Sequence, residues 1–463
     1  MPIGDHSADA SHLFARAAAQ ARFEALDTAA VTAARCSILD TLGVSLAATG
    51  LDPSMDPFLQ VVLDQGGTPQ ATVVGYRVRT SATLAAFTNG ALSHCLDFDD
   101  QTPWGQHAGS SVVPAVLAVA ERRGDVAGRD VLTAIAVGQD LFARLRLHTG
   151  WRKDWVLSSV GGVFAGAAAC ARASGLDERQ TQAALSIASQ QAAGMHEVIA
   201  GVGSDLRGKY AAFSAKGAVL STLLAERGVT GVDTLFEGRD GFFGLYFGGA
   251  YDRAELLHGL GEDFLGATTL YKKWPAVGTA HSHVHATIQL VQELDLRPED
   301  IARIEVFVGD YHRLMTHPLE QRRAPQTLVD AKFSLPFLVA IAAVRRGMSV
   351  WDFTEAGLRD PLVRSVAEKV EPVDDDGLDW GLDMPPGRVR VTAIDGRTAE
   401  RVGDRIPGSA ERPMTWADVV EKFRDNASAA ARPPSVATVD RVVDLVGRLE
   451  DLDDAAELMR VLG

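Results

Sequence analysis

Between Ser93 and Asp100 the chain reads Ser-His-Cys-Leu-Asp-Phe-Asp-Asp, so Asp97, Asp99 and Asp100 sit among Leu96 and Phe98 at the end of an Ala/Leu-rich run. Charged groups beside apolar surface must be paired, hydrogen-bonded or used in chemistry. This stretch therefore limits the fold more than any other. A helix end running into a solvated acidic loop is the common outcome for such a cluster. The flanks favour a polar pocket instead. After the turn-rich loop Gln101-Thr102-Pro103-Trp104-Gly105-Gln106 the chain reaches His107 and then Ala108-Gly109-Ser110-Ser111, the start of another apolar helix. Free N–H groups at a helix start attract an anion. A carboxylate, an imidazole and a helix N-terminus are expected to converge here.

Residues 11–260 read as successive helices. Asp27 precedes a run in which Val31, Ala34, Ile38, Leu42 and Ser45 share one face, and Gly50 closes it. A short β-like piece is expected over 71–76, then helices over 81–96, 111–123, 130–148 and 160–174. Asp177 with Gln180 forms a capping-box start for a helix over 183–193. Residues 194–209 are glycine-rich and end in Arg207 and Lys209. They are read either as a loop allowing close backbone approach or as an ordinary connection. A helix follows over 211–226.

The character changes after residue 262. Residues 301–308 and 388–392 alternate as strands, with helices over 283–294 and 331–345 between them. This smaller α/β unit ends near Pro407-Gly408, and helices over 415–426, 436–449 and 453–462 follow.

At 463 residues the chain has room for two or three domains, and 46% hydrophobic with 7% aromatic content points to an alanine-rich helical interior. A net charge of −15 disfavours nucleic acid and anionic membranes as partners, so an anionic substrate needs a local basic pocket. Residues 1–10 carry Asp5 and Asp9 without an apolar signal core, and the longest apolar stretch, 335–344, is too short to span a bilayer. A cytoplasmic protein is expected. Cys36, Cys95 and Cys170 are scattered without a Cys-x-x-Cys pair. Buried thiols suit them better than an iron–sulfur cluster.

His281, His283 and His285 stand at the entrance to the α/β unit. No Glu adjoins them as a metal-binding His-Glu-x-x-His would require, so no metal site is assigned. Core or capping roles are expected, with His281 the second candidate for proton chemistry.

The 93–100 segment with His107 resembles the signature of the MmgE/PrpD family, which includes 2-methylcitrate dehydratase, cis-aconitate decarboxylase and iminodisuccinate epimerase. Residues 218–231, 272–275, His281, Ala331-Lys332-Phe333-Ser334 and Pro407-Gly408 look like family segments in family order. The resemblance implies a mainly α fold: a large helical domain built from both chain ends (1–265 and 409–463) with an inserted α/β lid (266–408). It also implies a homodimer and cofactor-free chemistry on small carboxylates. Asp97, His107 and Lys272 fall on positions that family members use in catalysis, and Gln101, Arg207, Lys209, Lys273 and His281 are the candidate substrate contacts. Val156 and Val277 stand where many members carry histidine, and Leu206 where a lysine is common.

Removing a proton next to a carboxylate requires a base on that carbon and cations near the developing charge. His107 suits proton transfer, Asp97 can orient it or transfer a proton itself, and Lys272 and Arg207 can neutralise carboxylates. A metal-independent dehydratase of a hydroxy di- or tricarboxylate is the leading expectation. Epimerisation and a homologue that only binds a carboxylate are the alternatives, with decarboxylation of a cis-aconitate-like acid disfavoured by Val277, which stands where decarboxylases have histidine.

Overall fold

Asp27 accepts the N–H of Ala30 and starts the Thr28–Leu51 helix, which is buried along most of its length. This computed structural model describes residues 8–150 and 153–462; Asp5 lies outside them. By length and composition Thr28–Leu51 could cross a membrane, a property sought above only in 335–344. Here 78% of its apolar window is buried in protein, and Asp40 in its middle pairs with Lys422 of the Trp416–Ser428 helix at 2.6 Å. It is a core helix of this fold.

Against it pack Ala82–His94, Gly109–Arg123 and Gly128–Leu147, and Leu157–Ala173 and Ala211–Glu226 form the next layer on those helices. Their alanines and glycines let the helix backbones approach closely. One apolar core runs from Ala10 to Leu260 and takes in Val419, Phe423, Val442, Leu445 and Leu458. Both chain ends thus share it. A second core lies within 274–393, where the His281–Glu293 and Leu335–Arg345 helices pack beside a four-stranded sheet. The fold is mainly α with a small α/β region.

The β-like piece near 71–76 is a hairpin, β1 (Ala71–Val73) and β2 (Val78–Thr80). In the second sheet β3 (Ile301–Val308) lies parallel to β4 (Val370–Asp374) and antiparallel to β5 (Arg388–Ala393), and β6 (Thr398–Val402) pairs with β5. Strands β4 and β6 escape a sequence reading because they form the two edges, where one face is solvated and the apolar alternation fades. The helix expected over 331–345 is interrupted. Ser334 caps Leu335–Arg345 by accepting the N–H of Phe337 at 3.2 Å, leaving Leu328–Lys332 as a separate turn.

Candidate active site

The Ala82–His94 helix ends where the acidic segment begins, and three buried ammonium groups take up carbonyls of the segment just beyond it. Lys332 donates to Cys95 O at 3.2 Å, Lys272 to Asp97 O at 2.9 Å and Lys422 to Phe98 O at 2.6 Å. They come from the α/β unit, the junction before it and the C-terminal helices, so the corner exists only when all three parts are assembled. At its apex Asp97 adopts φ 48°, unusual for a non-glycine residue. Its N–H donates to His94 O at 2.8 Å.

The three carboxylates are buried and each has its own partner, unlike those of a solvated loop. Asp97 Oδ1 accepts from Lys272 Nζ at 2.5 Å. Burial acts to raise the Asp97 pKa, but the Lys272 ammonium, with His107 and His94, holds it below the usual carboxylate range. Both Asp99 oxygens lie 3.0 Å from His94 Nδ1. Burial is again outweighed there, by His107 and His94, and Asp99 stays ionised. Asp100 Oδ1 accepts the N–H of Gly109 at 3.0 Å, and Ser37 Oγ lies 3.2 Å from Oδ2. The helix start is thus filled by the protein's own Asp100 carboxyl, in keeping with the expected convergence of a carboxylate and a helix N-terminus. A Cβ on residue 109 would come 2.4 Å from Asp100 Oδ2, so glycine is required for that approach. Burial, with Asp99 and Asp40 nearby, pushes Asp100 up to about 7.

His107 is 12% exposed, and its Nε2 lies 3.7 Å from Asp97 Oδ1. Its Nδ1 is 2.6 Å from Asp100 O, and a carbonyl can only accept. Nδ1 therefore carries the proton, and Nε2 keeps its lone pair in the neutral ring. Burial pushes this imidazole down to about 4 against the opposing pull of Asp99.

The corner opens on a cavity of about 70 Å³, lined by His94, Asp97, Gln101, His107, Arg207, Tyr210 and Tyr311 and by apolar side chains including Val156, Val277 and Phe333. Arg207 is 1% exposed, lies 3.5 Å over the Phe333 ring, and has no hydrogen-bond partner on any of its three nitrogens. A Cβ on residue 278 would come 2.1 Å from Gln101 Oε1, so Gly278 makes room for that amide.

Other expected contacts lie elsewhere. Lys272 stands behind Asp97 and does not line the cavity. Lys209 Nζ is 3.1 Å from Asp52 Oδ2 and 2.6 Å from Ser54 Oγ, a buried structural pair. Lys273 is exposed and faces a separate cavity with Asp418 and Glu421. His281 Nε2 is 3.2 Å from Ala276 O, and burial pushes the ring down to about 3. Tyr210, Tyr311 and His196 line the cavity and were absent from the sequence reading.

His94, Asp97, Asp99 and His107 bring four potential metal-ligand atoms within 4.8 Å of one another. The Lys272 ammonium already holds the cation position at Asp97, and His94 and Asp99 satisfy each other. These groups form an ion-pair network.

A mainly α chain with an α/β unit and a buried carboxylate–imidazole–ammonium corner meets the MmgE/PrpD N-terminal domain over residues 12–254 and the C-terminal domain over 274–445. The protein belongs to the MmgE/PrpD family. It is 28% identical to human cis-aconitate decarboxylase over 406 residues, covering 83% of this chain and 80% of that protein. Over 457 residues it is 25% identical to the cis-aconitate decarboxylase of Aspergillus terreus (strain NIH 2624 / FGSC A1156), covering 92% and 91%. It is 23% identical to the mitochondrial 2-methylcitrate dehydratase of Yarrowia lipolytica over 423 residues, covering 85% and 79%.

Proposed function

We propose that the protein is a metal-independent lyase that removes a proton next to a carboxylate and dehydrates a small hydroxy di- or tricarboxylate. The observation that carries this reading is His107: its Nδ1–H is fixed on Asp100 O at 2.6 Å, and its Nε2 is open in a cavity that also holds an unpaired guanidinium. Arg207 seats one substrate carboxylate with a two-pronged grip. His107 Nε2 then takes the proton from the carbon next to the other carboxylate. The resulting imidazolium is stabilised by Asp97 at 3.7 Å and Asp99 at 3.4 Å. The C–H electron pair forms the carbon–carbon double bond as the C–O bond breaks. The departing hydroxide leaves as water with a proton from Tyr210 or Tyr311, both kept as neutral phenols chiefly by burial. Lys272 acts through Asp97, holding the carboxylate that orients the ring. The α/β unit supplies Val277, Tyr311 and Phe333 and works as the lid that excludes water.

Decarboxylation is the second reading, favoured by the human and Aspergillus relatives. There the carbanion left as carbon dioxide departs would take a proton from the Tyr210 or Tyr311 phenol, because His107 rests neutral. Incubation with di- and tricarboxylates in heavy water, followed by NMR, separates the outcomes: loss of water, loss of carbon dioxide, or exchange alone. His107→Asn should keep the fold and lower kcat at least about a hundredfold, the usual size of a general acid–base contribution. Normal turnover by that variant would move the base elsewhere.

A further inference from the structure

We infer that the acid taken by this site carries at most two carboxylates, one seated on Arg207, and an apolar substituent where a third carboxylate would otherwise lie. The inference rests on the carboxylate-lyase reading above and narrows its substrate class.

The first argument is the charge available. Among the described residues lining the cavity, Arg207 is a cation whose three nitrogens lack a partner. The next ammonium, Lys272, is committed to Asp97 O at 2.9 Å and Asp97 Oδ1 at 2.5 Å. His107 and His196 are both shifted toward the neutral form, chiefly by burial. Asp97 itself adds a negative charge to the wall. A buried carboxylate needs a cation or several good donors, and without them its desolvation is not recovered. Arg207 satisfies one. The Gln101 amide and the Tyr210 and Tyr311 hydroxyls are enough for a second. A third has no counter-charge left.

The second argument is the surface that remains. Val156, Leu157, Ile199, Val277 and Met384 line the same cavity, and Val156, Leu157 and Val277 are each at most 5% exposed. Carboxylates find no donors on these side chains, whereas an alkyl or aryl group buries its surface there. Each methylene buried should raise affinity roughly fourfold. The polar corner and this apolar wall therefore recognise opposite ends of one molecule.

The test compares citrate and cis-aconitate with malate, 2-methylmalate and 2-propylmalate on the whole protein. Calorimetry gives Kd, and deuterium incorporation in heavy water reports proton transfer. The alkyl malates should bind at least about tenfold more tightly than either tricarboxylate, with affinity rising along the alkyl series. Met384→Lys, a change at a half-buried position, should tighten the tricarboxylates and weaken 2-propylmalate. Val277→His should shift preference the same way if it folds. Tighter binding or faster exchange of a tricarboxylate in the wild-type protein overturns the inference and leaves the lyase reading intact. So does a flat alkyl series, or unchanged tricarboxylate affinity in Met384→Lys. If none of the five acids binds or exchanges, the lyase reading itself fails and takes the inference with it.

Discussion

The acidic corner and the Arg207 wall face one cavity, yet they treat buried charge in opposite ways. In the corner, Asp97, Asp99 and Asp100 each have a partner within 3.0 Å. Across from it, Arg207 stacks on Phe333 with no polar partner. Lys209, two residues on, is as buried as Arg207 but is closed off by Asp52 and Ser54. Paired charges fix geometry, whereas an unpaired buried charge waits for a ligand and weakens the empty protein. Burial does push the Arg207 guanidinium down to about 10, but it stays protonated at neutral pH.

Breaking the paired side should have the largest effect. Lys272→Ala leaves Asp97 buried without its cation and should destabilise the fold by about 3–5 kcal/mol, the usual cost of orphaning a buried partner. Denaturant unfolding measures the loss, and kcat should fall as well, since Asp97 no longer holds its place beside His107. Lys209→Met should lower stability through the same kind of defect at Asp52, without altering KM.

The unpaired side should respond in reverse. Arg207→Gln should raise KM about tenfold or more while changing kcat little, because it removes a grip remote from the reacting carbon. Its melting temperature in the absence of substrate should equal or exceed that of the wild type. A fall in melting temperature would mean that Arg207 is structural.

An effect spread over pH concerns Asp100, whose pKa rises from 3.8 to about 7 in the fold. A carboxyl raised on folding contributes stability that is lost as pH rises from its ordinary range through about 7. The wild type should therefore lose stability relative to Asp100→Asn across this window, by at most about 1.4 kcal/mol per pH unit. His107 titrates in both proteins, so the difference isolates Asp100. Parallel stability curves would show that Asp100 stays ionised.

Much of the frame is legible from local pattern. The capping box at Asp177 and Gln180, the helix Ala211–Glu226 and strand β3 follow from spacing alone. So does the convergence of a carboxylate with His107 at a helix start, whereas the choice of Asp97 among the three rests on the family resemblance. What local pattern does not carry is which partner a charge meets across the fold. Arg207 and Lys209 look alike in sequence, and only the placement of Asp52 separates them. Lys332 and Lys422 bind carbonyls 237 and 324 residues away. For Lys422 a signal existed: it shares the apolar face of its helix with Val419 and Asn426, and a lysine on a core face needs a buried acceptor. The three histidines at 281, 283 and 285 show the converse. Their spacing suggests a site, but His281 and His283 direct ring nitrogens to Ala276 O and Phe307 O.

The central claim is that His107 rests as a neutral ring with Nδ1 protonated and Nε2 free. Nitrogen-15 NMR of the histidine side chains tests it without knowing the substrate, with His107→Asn assigning the resonance. The expected result is the Nδ1–H tautomer at pH 7 and a midpoint near 4. An Nε2–H tautomer, or a ring still charged at pH 7, would contradict it.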